Sequence, residues 1–134
     1  MAQINQVAGG IYRISTYAPE PDMSFNQFLI DDEHPTLIHT GTYPLYEDVR
    51  QAVSEILDPS RLAYIIVPHF EADECGGMGR FIAEALHAVL VCSLVGARAN
   101  LNMTSIVLLT FSHDDLLSNS YLFDTYEKSF SGEK

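Results

Sequence analysis

Short β-prone runs alternate along the chain with segments whose hydrophobic residues recur at helical spacing. Residues 3–7 and 11–17 are β-prone and are separated by a Gly-Gly pair, which predicts a hairpin. Further strands are predicted at residues 25–30 and 36–40. Residues 44–57 carry apolar side chains at intervals of three and four, which predicts an amphipathic helix lying on a sheet.

The second half of the chain continues the same pattern. Residues 62–67 form an apolar, β-branched run, which predicts a strand buried on both faces. Residues 78–87 predict a second helix, and residues 89–92 and 104–111 predict two more strands. We therefore expect an α/β fold in which a mixed sheet carries its two main helices on one face.

The composition is that of one globular domain, with 134 residues, 47% hydrophobic residues and 19% charged residues. A formal net charge of -11 disfavours a nucleic acid or an anionic membrane as a partner. No apolar run approaches the roughly 20 residues that span a bilayer, and the first residues do not resemble a signal peptide. We therefore expect a cytoplasmic protein.

A polar cluster follows the predicted strand at residues 62–67. In an extended segment, the alternating side chains of His69, Glu71 and Asp73 would project to one side and that of Glu74 to the other. Imidazole and carboxylate ligands suit iron, manganese or zinc, and the lack of a closely spaced Cys pair argues against a structural zinc site. The cluster could equally be a strand end with solvated charges, but its place before a glycine-opened helix favours a metal site.

Four other polar or thiol side chains each allow more than one interpretation. Cys75 is either a ligand or redox thiol beside the cluster or a thiol without such a role, and Cys92 is expected to be a buried hydrophobe. His39 either lines the site or, as we favour, is held by backbone hydrogen bonds at a strand end. His113 stands in a His-Asp-Asp group that we interpret as a solvated turn rather than a substitute ligand set.

The order of strands, helix, strand and His69-x-Glu71-x-Asp73 resembles the metallo-β-lactamase superfamily. Hydrolases of that superfamily carry His-x-His-x-Asp-His at this place, whereas Glu71 resembles the flavodiiron, oxygen-binding branch with His-x-Glu-x-Asp-His. Two positions depart from the pattern. Glu74 stands where the pattern has its last histidine, and His39 stands where the superfamily usually has an aspartate.

The resemblance extends over residues 1–101, which we expect to form the N-terminal half of an αββα sandwich. Residues 102–134 are expected to form a divergent strand and tail. Members of the superfamily continue through a second half that supplies further ligands. We therefore expect a half domain that carries only part of a metal site.

The resemblance implies a function as well as a fold. It assigns His69 and Glu71 to one iron and Asp73 to a second, with Glu74 as a replacement ligand; zinc or manganese could substitute. Two irons in intact relatives bind or reduce dioxygen or nitric oxide, so a separate electron donor is an implied partner of a redox-active chain. Whether this short chain is an active oxidoreductase stays open. The alternatives are a metal-dependent hydrolase, which Glu71 disfavours, and a non-catalytic partial domain that dimerises.

Overall fold

A computed structural model describes residues 1–68, residues 70–93 and the backbone of residues 106–108. Within these parts of the chain, seven strands form one sheet in which they follow one another in sequence order. The elements are β1 (Gln3–Ala8), β2 (Ile11–Ala18), β3 (Met23–Ile30), β4 (Thr36–Ile38), α1 (Tyr46–Ser54), β5 (Tyr64–Val67), α2 (Ala72–Cys75), α3 (Met78–Glu84), β6 (Val89–Cys92) and β7 (Ile106–Leu108).

The sheet is mixed, as predicted. Strands β1 to β4 pair antiparallel and are joined by short turns, whereas β4 to β7 pair parallel. Parallel neighbours need a crossover connection, and α1 supplies it between β4 and β5 while α2 and α3 supply it between β5 and β6. The carboxyl ends of β4, β5 and β6 therefore lie along one edge of the sheet.

Both main helices pack on the same face of the sheet, which confirms the predicted layer arrangement. Tyr46 of α1 and Phe81 of α3 meet edge to face, with ring centroids 5.0 Å apart, above the buried strand residues. The shared core includes Ile14, Leu29, Leu37, Val49, Val53, Leu57, Leu62, Ile65, Val67, Phe81, Ala85 and Leu90. Burial of this single apolar layer is the main stabilising contribution to the fold.

The part of the opposite face that β3, β4 and β5 share is apolar but only partly buried. Phe28 lies opposite Ile38, and Ile38 lies beside Ile66 in the next strand. All three side chains keep intermediate exposure. The prediction that the strand at residues 62–67 is buried on both faces is therefore wrong, because α1 and α3 pack only against the face that carries Ile65.

The predicted helices are present but shorter than their hydrophobic patterns. A 3-10 turn at Tyr43–Leu45 leads into α1, and α3 ends at Glu84, so His87 lies exposed beyond the helix. The predicted strand at residues 104–111 is confirmed over Ile106–Leu108, and His113 lies outside the described residues. Across the described residues, none of the helices combines the length and the apolar character of a membrane span.

Candidate functional site

The residues that follow β4 and β5 meet at one edge of the sheet because these two strands are parallel. Ile38 pairs with Ile66, and the backbone N–H of His39 donates a 2.9 Å hydrogen bond to the carbonyl oxygen of Ile66. The predicted ligand segment at residues 69–74 begins directly after β5, although His69 itself lies outside the described residues. Open α/β sheets commonly build their sites at this edge.

The chain turns earlier than an extended strand would. Glu71 is extended, with φ -111° and ψ 148°, but Ala72–Cys75 are helical. The Glu71 carbonyl oxygen accepts hydrogen bonds from the N–H groups of Glu74 (3.0 Å) and Cys75 (2.9 Å). The predicted alternation of side chains is therefore wrong from Ala72 onward. Asp73 and Glu74 instead diverge by about 100° around the helix axis.

The predicted carboxylates stand in a segment that is anchored on both sides. Phe70 and Cys75 pack partly buried against the hydrophobic core. Between them, Glu71 is exposed, whereas Asp73 and Glu74 are half-buried. The structure therefore keeps Glu71 and Asp73 accessible on a segment whose ends are fixed by apolar contacts.

The two positions that depart from the superfamily pattern are neighbours in space. His39 Nδ1 lies 3.3 Å from Glu74 Oε2, which is an ion-pair distance, and the two side chains are only 20% and 21% exposed. His39 has φ 60°, in the left-handed region that few residues other than glycine adopt. His39 is thus both held through its backbone, as favoured, and brought to the site through its side chain.

Thr40 binds the same helical turn through two donors. Its backbone N–H and its hydroxyl donate hydrogen bonds of 2.7 and 3.1 Å to the carbonyl oxygen of Glu74. Thr40 is fully buried, so these bonds replace the hydrogen bonds to water that its N–H and hydroxyl lose on folding. Without them, burial of the two groups would be costly. Residues 39 and 40 therefore hold residue 74 by its side chain and by its backbone.

The glycine pair after α2 permits close packing against the loop that follows β4. A Cβ at position 76 would overlap the backbone nitrogen of Tyr43, and a Cβ at position 77 would lie 2.7 Å from the carbonyl oxygen of Thr40. The Gly77 N–H also donates a 3.1 Å hydrogen bond to the Gly41 carbonyl oxygen. The glycines thus let two backbone segments touch, which fixes α2 relative to β4.

Cys75 is not activated as a thiolate. Burial raises the pKa of its thiol, and the neighbouring carboxylates of Glu74 and Asp73 raise it further. A raised pKa keeps the thiol protonated at neutral pH, which disfavours a role as a nucleophile or redox thiolate. Cys92 is 2% exposed, and burial raises the pKa of its thiol too, as expected of a small core residue.

The donor types near the sheet edge suit iron, since imidazole and carboxylate form mixed nitrogen and oxygen sites. Among the residues that the structure describes, no three His, Cys, Asp or Glu side chains group closely enough to hold a metal ion. The predicted ligands His69, Glu71, Asp73 and Glu74 include one residue outside that description. The ligand set therefore stays a prediction.

Comparison with known protein families identifies the family of this chain. The family model described as ODP family beta lactamase matches residues 23–101, which is more than half of the sequence. The chain belongs to this family. The match spans β3 to β6 and includes the whole predicted ligand segment, so the resemblance to the metallo-β-lactamase superfamily is confirmed.

The relatives of this chain point to the flavodiiron branch. The chain is 24% identical over 76 residues to the rubredoxin-oxygen oxidoreductase of Megalodesulfovibrio gigas, covering 57% of this chain and 19% of that protein. It is 29% identical over 70 residues to the nitric oxide reductase of Moorella thermoacetica, covering 52% of this chain and 18% of that protein. The chain thus spans about a fifth of the length of these relatives.

A solved structure supports the same fold. The flavodiiron protein from Giardia intestinalis superposes with a TM-score of 0.70 and 18% identity, over 82% of this chain and 31% of that one. The chain therefore has the fold of one part of a flavodiiron protein.

Sequence reasoning missed Thr40 and Tyr43 as residues that support the site. The local signal was present, because Gly41 and the pair Gly76 and Gly77 mark two places where backbone segments could approach closely. What the sequence lacks is any indication that these two places meet each other.

Proposed function

We propose that this chain is the N-terminal half of a flavodiiron-type domain whose iron site binds dioxygen or nitric oxide. The observation that carries the proposal is that Glu71 and Asp73 follow β5 at the carboxyl edge of the sheet, the edge at which His39 follows β4. Glutamate at position 71 supports the diiron branch. The names of the two curated relatives, an oxygen oxidoreductase and a nitric oxide reductase, support the two candidate ligands.

In this proposal His69, Glu71 and Asp73 are the iron ligands that the chain supplies. Bound iron would offer open coordination positions to a diatomic ligand. The protein's own part is to present these side chains from an anchored segment. Phe70 and Cys75 fix the segment on the core, and the glycine pair fixes the turn that follows it.

A redox-active form needs electrons from a separate donor. The chain spans about a fifth of the length of its curated relatives, and the matched region is the β-lactamase family part. A donor protein or domain is therefore a partner of the active assembly in this proposal. Reduction of dioxygen or nitric oxide depends on it, whereas iron binding does not.

Metal reconstitution tests the proposal directly. Purified protein would be stripped of metal, loaded anaerobically with ferrous iron, desalted and analysed for iron per chain. We expect retention of iron, up to about two per chain if further ligands lie elsewhere in the sequence. Nitric oxide should then give a ferrous-nitrosyl absorption. The matched control is Glu33→Gln, which changes an exposed acid in a distant turn and should leave iron content unchanged.

The hydrolase alternative can be tested on the same protein by one exchange. Glu71→His recreates the His-x-His pattern of the superfamily's hydrolases, so it should shift the preference from iron toward zinc. Zinc-loaded wild-type protein that cleaves a chromogenic β-lactam or thioester would favour the hydrolase. Inactivity of the zinc form together with iron retention would favour the diiron site.

A second candidate function is a non-catalytic half domain that dimerises. The observation that favours it is the apolar face of Phe28, Ile38 and Ile66, which lies opposite the face that α1 and α3 cover. Contiguous apolar surface of this kind commonly marks an association site. Light scattering after size exclusion tests it: a dimer that Ile38→Glu dissociates, with no retained iron, would favour this candidate.

A further inference from the structure

His39 and Glu74 are in contact at a place where the neighbouring backbone is fixed by hydrogen bonds. Their side chains approach to 3.3 Å and are four-fifths buried. Thr40, the neighbour of His39, donates two hydrogen bonds to the backbone carbonyl of the same Glu74. The contact therefore joins the end of β4 to the turn that carries Asp73.

The same two positions are the ones at which the sequence departs from the superfamily pattern. The resemblance implies an acid at position 39 and an imidazole at position 74, whereas this chain has the imidazole at 39 and the acid at 74. Either change alone would place two carboxylates or two imidazoles side by side. The two departures together keep one acid and one imidazole in contact, so each explains the other.

We infer that His39 and Glu74 form an acid–imidazole pair in which the two residue types have exchanged positions, and that this pair positions the turn carrying Asp73. The Glu74 carboxylate then pairs with His39 and does not coordinate a metal ion. The part of this inference that concerns the metal rests on the proposed function, but the pairing itself does not. Glu74 is then a positioning residue.

A reciprocal exchange tests the pairing in metal-free protein. His39→Asp, Glu74→His and the double variant would be compared by thermal unfolding at pH 7 and low salt. We expect each single variant to lose about 5–10 °C in Tm, because it leaves a half-buried group beside an unsuitable partner. The double variant should return to within about 3 °C of the wild type. Losses that simply add in the double variant would overturn the inference.

A double-mutant cycle with more conservative substitutions tests the same pairing if His39→Asp does not fold. His39→Asn and Glu74→Gln preserve shape and remove charge. If the two side chains act as a pair, the double variant should lose no more Tm than the larger single loss, whereas independent losses would contradict the pairing. The exposed pair of Arg80 and Glu47 provides the control cycle, and its coupling should shift Tm by less than about 2 °C.

Iron content separates a positioning role from a ligand role. We expect Asp73→Asn to lose most of the iron, and Glu74→Gln to lose a smaller fraction that matches the loss in His39→Asn, because both of these variants break the same pair. Loss of iron in Glu74→Gln as large as that in Asp73→Asn would overturn the role assigned to Glu74. If the wild type itself retains no iron, the proposed function fails, and the two stability cycles still decide whether His39 and Glu74 are paired.

Discussion

Two junctions join the helices after β5 to the earlier part of the chain, and they use different chemistry. At the outer junction, long charged side chains link α1 to α3: Arg50 pairs with Glu84, and Arg80 lies over the rings of Tyr43 and Tyr46. At the inner junction, backbone contacts backbone at the glycine pair after α2 and through the hydrogen bond from the Thr40 N–H to the Glu74 carbonyl oxygen.

The two junctions should differ in how well they tolerate amino-acid substitution. Side chains such as Arg80, which is 43% exposed, can change rotamer at little cost, so the outer junction should tolerate substitution. The inner junction has no flexible atoms at its closest contacts. The candidate site is therefore positioned by the rigid junction, and the helices are joined on the outside by the adaptable one.

The largest effect should come from Gly76→Ala at the inner junction. The new methyl group would overlap the Tyr43 backbone and lie 2.7 Å from the Ala72 carbonyl oxygen. We expect destabilisation by about 3 kcal/mol or more, measured by urea unfolding. Gly79→Ala is the matched control, because a Cβ there meets nothing within 4 Å. Since alanine favours the helix, that control should stabilise by up to about 1 kcal/mol; equal losses in both variants would refute the rigid junction.

A smaller effect is expected from Thr40→Val. The substitution removes the hydroxyl that donates to the Glu74 carbonyl oxygen but keeps the shape and the backbone bond. We expect a loss of about 1–2 kcal/mol in the free energy of unfolding. Thr16→Val is the control, because Thr16 is also buried but its hydroxyl lies 3.5 Å from the Phe25 carbonyl oxygen, a weak bond. Similar losses at positions 40 and 16 would show that the inner junction does not depend on this bond.

At the outer junction, Glu84→Gln should cost about 1 kcal/mol or less, because the pair with Arg50 is partly exposed. High salt should lower wild-type stability toward that of the variant.

The pKa of Tyr46 offers a second measurement on the Glu84→Gln variant. Burial and the hydrogen bond to Glu84 raise it, so ultraviolet titration should show a decrease in the variant. An unchanged tyrosine titration would mean that Glu84 does not contact the phenol in solution.

The smallest effect is expected at Asp58, which belongs to neither junction and provides a reference for the other variants. Asp58 accepts a hydrogen bond from the Ser60 backbone N–H, and this bond and the one from the Ser60 side chain lower the pKa of its carboxyl group. Because the pKa of Asp58 is lower in the folded state, its ionised carboxyl group stabilises the fold above the unfolded-state pKa of about 3.9. This stabilisation is lost as pH falls through the lower, folded-state pKa. The difference in urea midpoint between the wild type and Asp58→Ala should therefore narrow on acidification. A difference that is constant from pH 7 to pH 2 would contradict this.

Much of the fold was predictable because its signals are local. The Gly-Gly turn between β1 and β2 and the helical spacing in α1 depend on neighbouring residues alone. The helical turn at Ala72–Cys75 was not predicted, because a strand pattern was extended past the point where backbone bonds to Glu71 begin a helix.

The candidate site was predictable as a segment but not as an arrangement. The residue types at positions 71 and 73 indicated metal chemistry from the sequence alone. The contact between His39 and Glu74 joins residues that lie far apart in the chain, so no local pattern could reveal it. Each looked like an isolated departure from the family pattern until the parallel pairing of β4 and β5 brought them together.

We propose above all that the segment after β5 binds iron through His69, Glu71 and Asp73. Anaerobic calorimetric titration of ferrous iron into metal-free wild type and into a Glu71→Gln/Asp73→Asn variant tests this most directly. We expect saturable binding by the wild type and a loss of at least about tenfold in affinity in the variant. Wild-type protein that folds but binds no iron, or a variant that binds iron as tightly as the wild type, would contradict it.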